Sequence, residues 1–162
     1  MKAVANATPL IALSIIGELD LLASLFEEVL VPPSVLEEVV LQGQERAGSG
    51  GLAEASWIRV KRPTAAPTIE PVLLGLDPGE FEVILLAREE NAWALIDERL
   101  ARRAAKALGM RVKGTMGILL AGVEAGLLGK DRALAATEQL VDAGIRIAPS
   151  IVKWFESELR RV

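Results

Sequence analysis

The stretch GEFEVILLAREENAWALIDERLARRAAKALG at positions 79–109 predicts a helix, a strand and a second helix in succession. Apolar residues recur at helical spacing through Gly79–Asn91, Ala92–Ile96 is a short apolar run, and Glu98–Leu108 is again helical up to Gly109. Asp97 lies where the predicted strand ends. A strand between two helices is the repeating unit of a parallel sheet covered on both faces.

The same alternation extends from this stretch in both directions. The other predicted strands are Ala3–Asn6, Val29–Val31, Trp57–Lys61, Arg111–Lys113 and Ile145–Ile147. A helix is predicted to begin at Thr8, with Thr8 as its N-cap and Pro9 in the first helical position, and to end before Gly17. The other predicted helices are Glu18–Leu25, Ser34–Gln42, Thr115–Ala125, Asp131–Ala143 and Pro149–Arg161. Between them, Gly43–Gly51 is predicted to be a loop and Arg62–Pro78 an irregular connection. The length of 162 residues suits one α/β domain, residues 1–162, with a mainly parallel sheet.

The composition excludes several kinds of chemistry. The chain has no histidine, no tyrosine and no cysteine, which removes Ser–His and Cys–His catalysis, histidine or thiolate metal sites and disulfides. A metal would have to be held by oxygens, which favours Mg²⁺, Mn²⁺ or Ca²⁺. Phosphate-binding glycine motifs are also missing, so the sequence does not indicate a kinase, a P-loop enzyme or a dinucleotide-binding protein.

The location and the partners are less constrained. The absence of cysteine, of a signal-peptide pattern and of an apolar run of about 20 residues leads us to expect a cytoplasmic protein with no membrane partner. A net charge of −4 is unusual for a protein that coats a nucleic-acid duplex. Nucleic-acid binding stays possible because a metal ion and a local basic patch can supply the attraction.

Acidic and polar residues follow the predicted strands, where parallel sheets bind their ligands. The residues concerned are Asn6 after the first strand, Asp97 and Glu98 after Ala92–Ile96, Thr115 after Arg111–Lys113, Glu80 at a helix start, and Glu37 or Glu38 within Ser34–Gln42. Carboxylates gathered at one edge repel each other, and a hard divalent cation offsets that repulsion. Such a cation lowers the pKa of a water and stabilises charge on a phosphate, so the pattern is compatible with phosphodiester hydrolysis without histidine.

Each of these residues also has a structural interpretation. Glu80 suits the dipole at a helix start, Asp97 and Thr115 could be N-caps, and Asn6 could hydrogen-bond the turn at Thr8. Glu37 and Glu38 could form a solvated helix face. The expected placement of all of them at one sheet edge is what favours a functional interpretation.

Basic residues follow Asp97 on the next helix. Arg99 and Arg102, with Arg103 and Lys106, could contact a phosphate backbone, or they could form a solvated face that pairs with Glu98. Trp57, Trp93 and Trp154 are scattered, which is typical of core or interface anchors and not of a platform that stacks bases.

Several segments together resemble the PIN-like domain family, relatives of VapC-type toxins that are often described only as predicted nucleic-acid-binding proteins. The segments follow the family's order over nearly the whole chain: NATPLIAL from position 6, LDLL from 19, VPPSVLEEV from 31, GEFEVILLA from 79, LIDERLAR from 95 and GTMGILL from 114.

The resemblance implies a three-layer α/β/α fold and an endoribonuclease site that uses Mg²⁺ or Mn²⁺. The family's metal-binding positions fall on Asn6, Glu38, Glu80 and Asp97, with Glu98 as the alternative to Asp97 as a catalytic acid. It further implies an RNA substrate, a small antitoxin protein as partner and a homodimer. At the first position this chain has Asn6 where active PIN nucleases have Asp, which removes one negative charge from the expected metal site.

Two functions of different kinds follow. The first is a metal-dependent ribonuclease that is the toxin of a toxin–antitoxin pair, with Glu38, Glu80, Asp97 and Glu98 as catalytic acids and with Arg99, Arg102 and Thr115 in contact with the RNA. The second is a PIN-like nucleic-acid-binding or protein-interaction module with weak or no cleavage, which Asn6 and the acidic balance favour.

Overall fold

A five-stranded, entirely parallel sheet forms the centre of the fold. The computed structural model describes residues 1–45, 51–64 and 70–162, together with their side chains except at 43–45. The strands are β1 (Lys2–Ala5), β2 (Glu28–Val31), β3 (Ile58–Val60), β4 (Trp93–Leu95) and β5 (Val112–Lys113). They lie in the order β3-β2-β1-β4-β5, so the sheet grows in opposite directions from the neighbouring pair β1 and β4.

Helices cover both faces of the sheet. In the described parts of the chain they are α1 (Ala7–Ile15), α2 (Leu21–Leu25), α3 (Pro33–Glu45), α4 (Gly51–Glu54), α5 (Pro78–Glu89), α6 (Arg99–Ala107), α7 (Thr115–Glu124), α8 (Lys130–Asp142) and α9 (Pro149–Arg161), with a 3₁₀ turn at Pro71–Leu73. Helix α5 packs on β1 and β4 and contacts α6, whereas α7 contacts α1, α2, α8 and α9. The chain is therefore a three-layer α/β/α domain, as the sequence predicted.

The middle strands are buried because both faces are covered. Ala3, Val4 and Ala5 of β1 have no exposed surface, and neither do Ala94 and Leu95 of β4. Strands buried on both faces have continuous apolar sequences, which is why short apolar runs located them correctly. No helix in the described residues is long and apolar enough to cross a membrane.

Several predicted helix ends were wrong. Helix α1 begins at Ala7 with Asn6 as its N-cap residue, not at Thr8, and Pro9 is tolerated there because the first turn of a helix has free N–H groups. Helix α2 begins at Leu21, three residues after the predicted start at Glu18. Helix α3 continues past Gly43 to Glu45, so the predicted Gly43–Gly51 loop is shorter, and its residues 46–50 lie outside the described part.

The predicted strand Ile145–Ile147 was also wrong. This segment is an irregular connection between α8 and α9 and pairs with none of the five strands. Ile145 and Ile147 are half-buried against the core while Arg146 is exposed. The alternation of apolar and polar residues was real, but it reflects burial on one side and not hydrogen bonding to a sheet edge. In the predicted connection Arg62–Pro78, residues 65–69 are outside the described part.

Candidate active site

The candidate site lies where β1 and β4 end side by side. Asn6 directly follows β1, and its backbone N–H donates to the carbonyl of Leu95 in β4 at 2.9 Å. Asp97 and Glu98 follow β4 two and three residues later. In doubly wound sheets, the crevice between neighbouring strands whose connections diverge is where ligands bind. The strand order thus brings residues from distant parts of the sequence to one edge.

Asn6 and Glu98 are joined by a hydrogen bond across this crevice. The Asn6 Nδ2 donates to Glu98 Oε2 at 3.0 Å, and the Thr8 hydroxyl donates to Glu98 Oε1 at 2.6 Å. Asn6 is only 3% exposed, yet its Oδ1 atom has no hydrogen-bond partner among the described residues. Buried polar atoms are nearly always paired, so this oxygen is a vacant acceptor in a prepared position.

Two further oxygens converge with Asn6 Oδ1 next to Gly79. A Cβ atom built on Gly79 would lie 3.4 Å from Asp77 Oδ1, 3.5 Å from Glu38 Oε2 and 3.7 Å from Asn6 Oδ1. These oxygens come from the α5 N-terminus, from α3 and from the end of β1. The absence of a side chain at Gly79 therefore leaves three acceptor oxygens facing one small volume.

Glu80 is beside this volume but is used by its own helix. Its Oε2 accepts from the Asp77 backbone N–H at 3.0 Å, while the Glu80 N–H donates to Asp77 Oδ1 at 2.7 Å. This reciprocal pair is a capping box at the start of α5, so the helix-start interpretation of Glu80 was correct. The predicted role of Glu80 at a metal stays a prediction.

Burial and mutual repulsion disfavour charge on the acids of this edge. Burial raises the pKa of the Glu38 carboxyl, and Asp77 and Glu98 raise it further. Burial also raises the pKa of Glu80 and outweighs the hydrogen bond from the Asp77 backbone N–H, which lowers it; the charges of Asp77, Glu98 and Glu38 make smaller contributions that raise it. Four carboxyls from three segments are therefore close enough to influence each other, and a divalent cation would relieve their repulsion.

Asp97 points away from Asn6 and binds the start of α7. Its Oδ1 accepts from the Thr115 backbone N–H at 2.8 Å, and its Oδ2 accepts from the Thr115 hydroxyl at 2.5 Å. Burial raises the pKa of Asp97, although both Thr115 hydrogen bonds and nearby Arg102 act in the opposite direction. Arg102 in turn donates from Nη1 to the carbonyl of Ile96 at 2.9 Å. Asp97, Thr115 and Arg102 thus form a bracing network between β4, α6 and α7.

The predicted N-cap roles of Asp97 and Thr115 were wrong. Asp97 does not cap α6, whose N-cap residue is Glu98, and Thr115 is the first helical residue of α7 after the N-cap Gly114. Asp97 instead supplies its carboxylate to α7 across space, which sequence spacing could not reveal. Thr115 is buried and Arg102 is half-buried, whereas Arg99 is exposed. The predicted RNA contacts of these three residues stay predictions.

A cleft of about 300 Å³ lies over this edge. Thr8, Gln42, Asp97, Glu98 and Arg146 are among the residues that line it. The Gln42 side chain donates to Glu38 Oε1 at 3.1 Å and so connects the cleft to the acidic edge. Sequence reasoning did not single out Gln42, Arg146 or Asp77. The one available signal was the Asp-Pro-Gly-Glu run at 77–80, which is typical of a capped helix start.

The oxygens present fit a hard divalent cation in their chemistry. Asn6 Oδ1 is an unused carbonyl oxygen, and the carboxylate of Glu38 faces the same volume. Mg²⁺ and Mn²⁺ prefer such ligands. Within the described residues, however, no three acidic side chains are already grouped closely enough to hold a metal ion. A cation at this edge would complete its ligand set with an amide oxygen and with waters.

An all-parallel, doubly wound sheet with acids at its diverging strands defines a class of α/β proteins with a polar site at the carboxyl edge. Residues 2–160 match the family model DUF3368, described as a PIN domain, and the chain belongs to this PIN domain family. The PIN-like resemblance of the sequence is thereby confirmed. PIN domains have a fold of the nuclease type and usually bind divalent metal ions.

A solved structure with the same fold supports this assignment. It is a PilT N-terminus domain protein from the hyperthermophilic archaeon Sulfolobus solfataricus P2, with a TM-score of 0.57 and 19% sequence identity. The similarity covers 76% of this chain and 95% of that chain. At this identity the likeness concerns the fold alone. Among curated proteins, no sequence matches the chain significantly.

Proposed function

We propose that this PIN domain is a Mg²⁺- or Mn²⁺-dependent endoribonuclease and the toxin of a toxin–antitoxin pair. The main observation behind the proposal is the buried Asn6 Oδ1, which has no partner in the described residues and lies with the Glu38 carboxylate beside Gly79. An acceptor left unsatisfied at such a position costs about 1–3 kcal/mol, which a bound cation or water would remove. The antitoxin partner, the homodimer and the cytoplasmic location rest on the family resemblance and belong to the same proposal.

In this function the residues of the edge have separate tasks. Asn6 and Glu38 supply oxygens to the cation, and Glu80 and Asp97 add negative charge near it. Glu98 fixes the orientation of the Asn6 amide, because it accepts from Nδ2 and leaves Oδ1 directed inward. A cation bound here supplies Lewis-acid stabilisation of a phosphate and lowers the pKa of a water.

The first experiment is cleavage of a mixed single-stranded RNA pool by protein that is folded and free of any antitoxin. We expect cleavage with Mn²⁺ or Mg²⁺, none with EDTA, and a loss of at least tenfold in Glu38→Gln and in the double variant Asp97→Asn/Glu80→Gln. Glu37→Gln is the matched control for Glu38→Gln, because Glu37 is the exposed neighbour on the same helix. No cleavage by the wild-type protein would overturn the nuclease proposal.

The second candidate is a PIN domain that binds nucleic acid or protein with weak or no cleavage. Asn6 favours this candidate, because its amide offers a cation a neutral oxygen in place of a carboxylate, while its N–H donates to Glu98. Asn6→Asp discriminates between the two. The new carboxylate adds about 1–4 kcal/mol of attraction for a nearby cation, so metal affinity and cleavage should both rise by about tenfold.

Metal titration calorimetry and the same RNA assay measure this change. Asn91→Asp is the matched control, since Asn91 is exposed and at the opposite, amino-terminal end of β4. Tighter metal binding without any cleavage would favour the binding module. Unchanged metal affinity would argue against a cation at Asn6 altogether.

A further inference from the structure

Among the described residues that line the cleft beside the acidic edge, one is basic. Arg146 lies on the connection between α8 and α9, far in sequence from the other residues of the cleft. The acids that line the same cleft are Asp97 and Glu98. The guanidinium of Arg146 is exposed, and in the described residues it has no hydrogen-bond or ion-pair partner. It is therefore a cation that the fold places at the cleft without using it for stability.

The backbone that carries Arg146 is held in place. Gly144 has a φ of +86°, which few residues other than glycine adopt, and it ends α8. The Ile145 N–H donates to the carbonyl of Leu140 at 2.9 Å, and Ile145 and Ile147 pack against the core on either side of Arg146. The side chain thus extends from a fixed point into the cleft.

The other arginines near the site are placed differently. Arg102 is committed to the carbonyl of Ile96 and neighbours Asp97, so it braces the fold. Arg99 is exposed but is not one of the residues that line the cleft. Of these three arginines, Arg146 is therefore the one that an anionic substrate bound in the cleft would contact.

We propose that Arg146 binds a backbone phosphate of the RNA strand next to the one that is cleaved. This inference rests on the nuclease function proposed above and deepens it by naming the residue that attracts the strand. The cleft has a volume of about 300 Å³. Its Thr8 hydroxyl already donates to Glu98 and its Gln42 amide to Glu38, whereas Arg146 has no such partner in the described residues. Arginine suits the role because its planar donors match phosphate oxygens.

The test is equilibrium binding of a fluorescently labelled single-stranded RNA over a range of salt concentrations. Ca²⁺ replaces Mg²⁺ or Mn²⁺ in this assay, and a gel checks that the RNA is not cleaved. Removal of one phosphate contact should lower the salt slope by about 0.7 for a single strand. For Arg146→Ala we therefore expect this reduction and about tenfold weaker binding at low salt. Arg146→Lys should keep the slope and lose only part of the affinity. All variants should have wild-type melting temperatures, because Arg146 is exposed and unpaired.

Arg160→Ala is the charge-matched control, since Arg160 is exposed near the end of α9 and does not line the cleft. If Arg146→Ala binds RNA with the affinity and salt slope of Arg160→Ala while the wild-type protein binds and cleaves RNA, the role of Arg146 is refuted and the nuclease function stands. If the wild-type protein neither binds nor cleaves RNA, both proposals fail. Cleavage with an increased KM and a nearly unchanged kcat in Arg146→Ala would support a binding role.

Discussion

Asp97 and Glu98 are adjacent in the sequence and have different partners in the fold. Asp97 accepts hydrogen bonds from Thr115 on α7, and Glu98 accepts them from Asn6 and Thr8 on the other side of β4. Asp97 thus contacts the segment that follows β5, and Glu98 contacts the segment that follows β1, the two strands on either side of β4. The family resemblance offered Glu98 as the alternative to Asp97 at the acidic position after this strand. In the structure the two acids have different partners, since Asp97 holds the start of α7 and Glu98 holds Asn6 and Thr8.

Thr115→Val tests the bracing role of Asp97. The substitution keeps the shape of a buried side chain but removes the hydroxyl that donates to Asp97 Oδ2. A buried acceptor that loses its donor costs about 1–3 kcal/mol, so the free energy of unfolding should fall by about 2 kcal/mol in urea titrations.

Thr137→Val is the control for that variant. Thr137 is also buried, but its hydroxyl donates to the carbonyl of Ala133 within the same helix. Such bonds contribute little, so this variant should lose less than about 1 kcal/mol. Equal losses in the two variants would mean that the Asp97 contact adds nothing to stability.

At the scale of elements, the starts of α5 and α7 assemble the candidate site. The α5 start brings Asp77 and Glu80 to the edge through its capping box, and the α7 start receives the Asp97 carboxylate. Both helices begin at residues that also lie near the predicted metal ligands. Changes in these helix starts should therefore affect stability and the site together.

Asp77 serves both α5 and the acidic edge, and two substitutions separate these effects. Asp77→Ala removes the N-cap acceptor and should lower the free energy of unfolding by about 1 kcal/mol. Asp77→Asn keeps an acceptor and removes the charge that raises the pKa of Glu38, so the metal-free protein should be as stable as wild type or slightly more stable. Urea titrations in EDTA measure both. A loss in Asp77→Asn as large as in Asp77→Ala would show that the charge itself stabilises the fold.

Gly114 lets β5 and α7 approach the network of Asp97. A Cβ atom at this position would lie 2.5 Å from Arg102 Nη1 and 2.8 Å from Asp97 Oδ1. Gly114→Ala should displace both groups, destabilise the protein by about 1–3 kcal/mol and reduce RNA cleavage. Thermal denaturation and the cleavage assay measure the two effects.

Gly129→Ala is its matched control. Gly129 is likewise the N-cap of a helix with extended backbone, and a Cβ atom there meets nothing within 4 Å. We expect this variant to be within about 0.5 kcal/mol of wild type. A similar loss of stability in both variants would mean that each N-cap needs glycine for its backbone conformation. The lack of space for a Cβ atom near Asp97 would then not be the cause.

At the scale of the whole molecule, acids from three separate segments share one edge of the sheet. Burial raises the pKa of Glu38, Glu80 and Asp97 above their ordinary values, so the fold favours the protonated form of each. The stabilisation from such groups is fully present below the unfolded-state pKa and is lost as the pH rises through the folded-state pKa. The metal-free protein should be more stable in mild acid than in alkali on account of these groups.

A melting curve in EDTA checks this expectation. The melting temperature of the wild-type protein should be higher near about pH 5 than near about pH 8, because the raised pKa values lie above those of unfolded carboxyls at about 4. Glu38→Gln should show a smaller difference between the two pH values, and Glu37→Gln should behave as wild type. A wild-type melting temperature that falls between pH 8 and pH 5 would contradict the assignment.

The sequence by itself determined the order of the elements and the class of fold. Short apolar runs located β1, β2 and β4, because strands buried on both faces need no polar residues. Helical periodicity identified α9 over Pro149–Arg161 with its correct ends, since proline marks the start and the apolar face is continuous. The same reasoning placed Asn6, Asp97 and Glu98 at one edge, because parallel strands end together.

The tertiary structure decided which of these residues meet. Whether Asp97 or Glu98 reaches Asn6 depends on side-chain direction after β4, and the approach of Glu38 depends on how α3 packs against α5. Arg146 reaches the cleft because the connection between α8 and α9 lies beside Thr8, Asp97 and Glu98, although its apolar neighbours had suggested a strand. Contacts between distant segments depend on packing directions in three dimensions, which the spacing of residues along one chain does not encode.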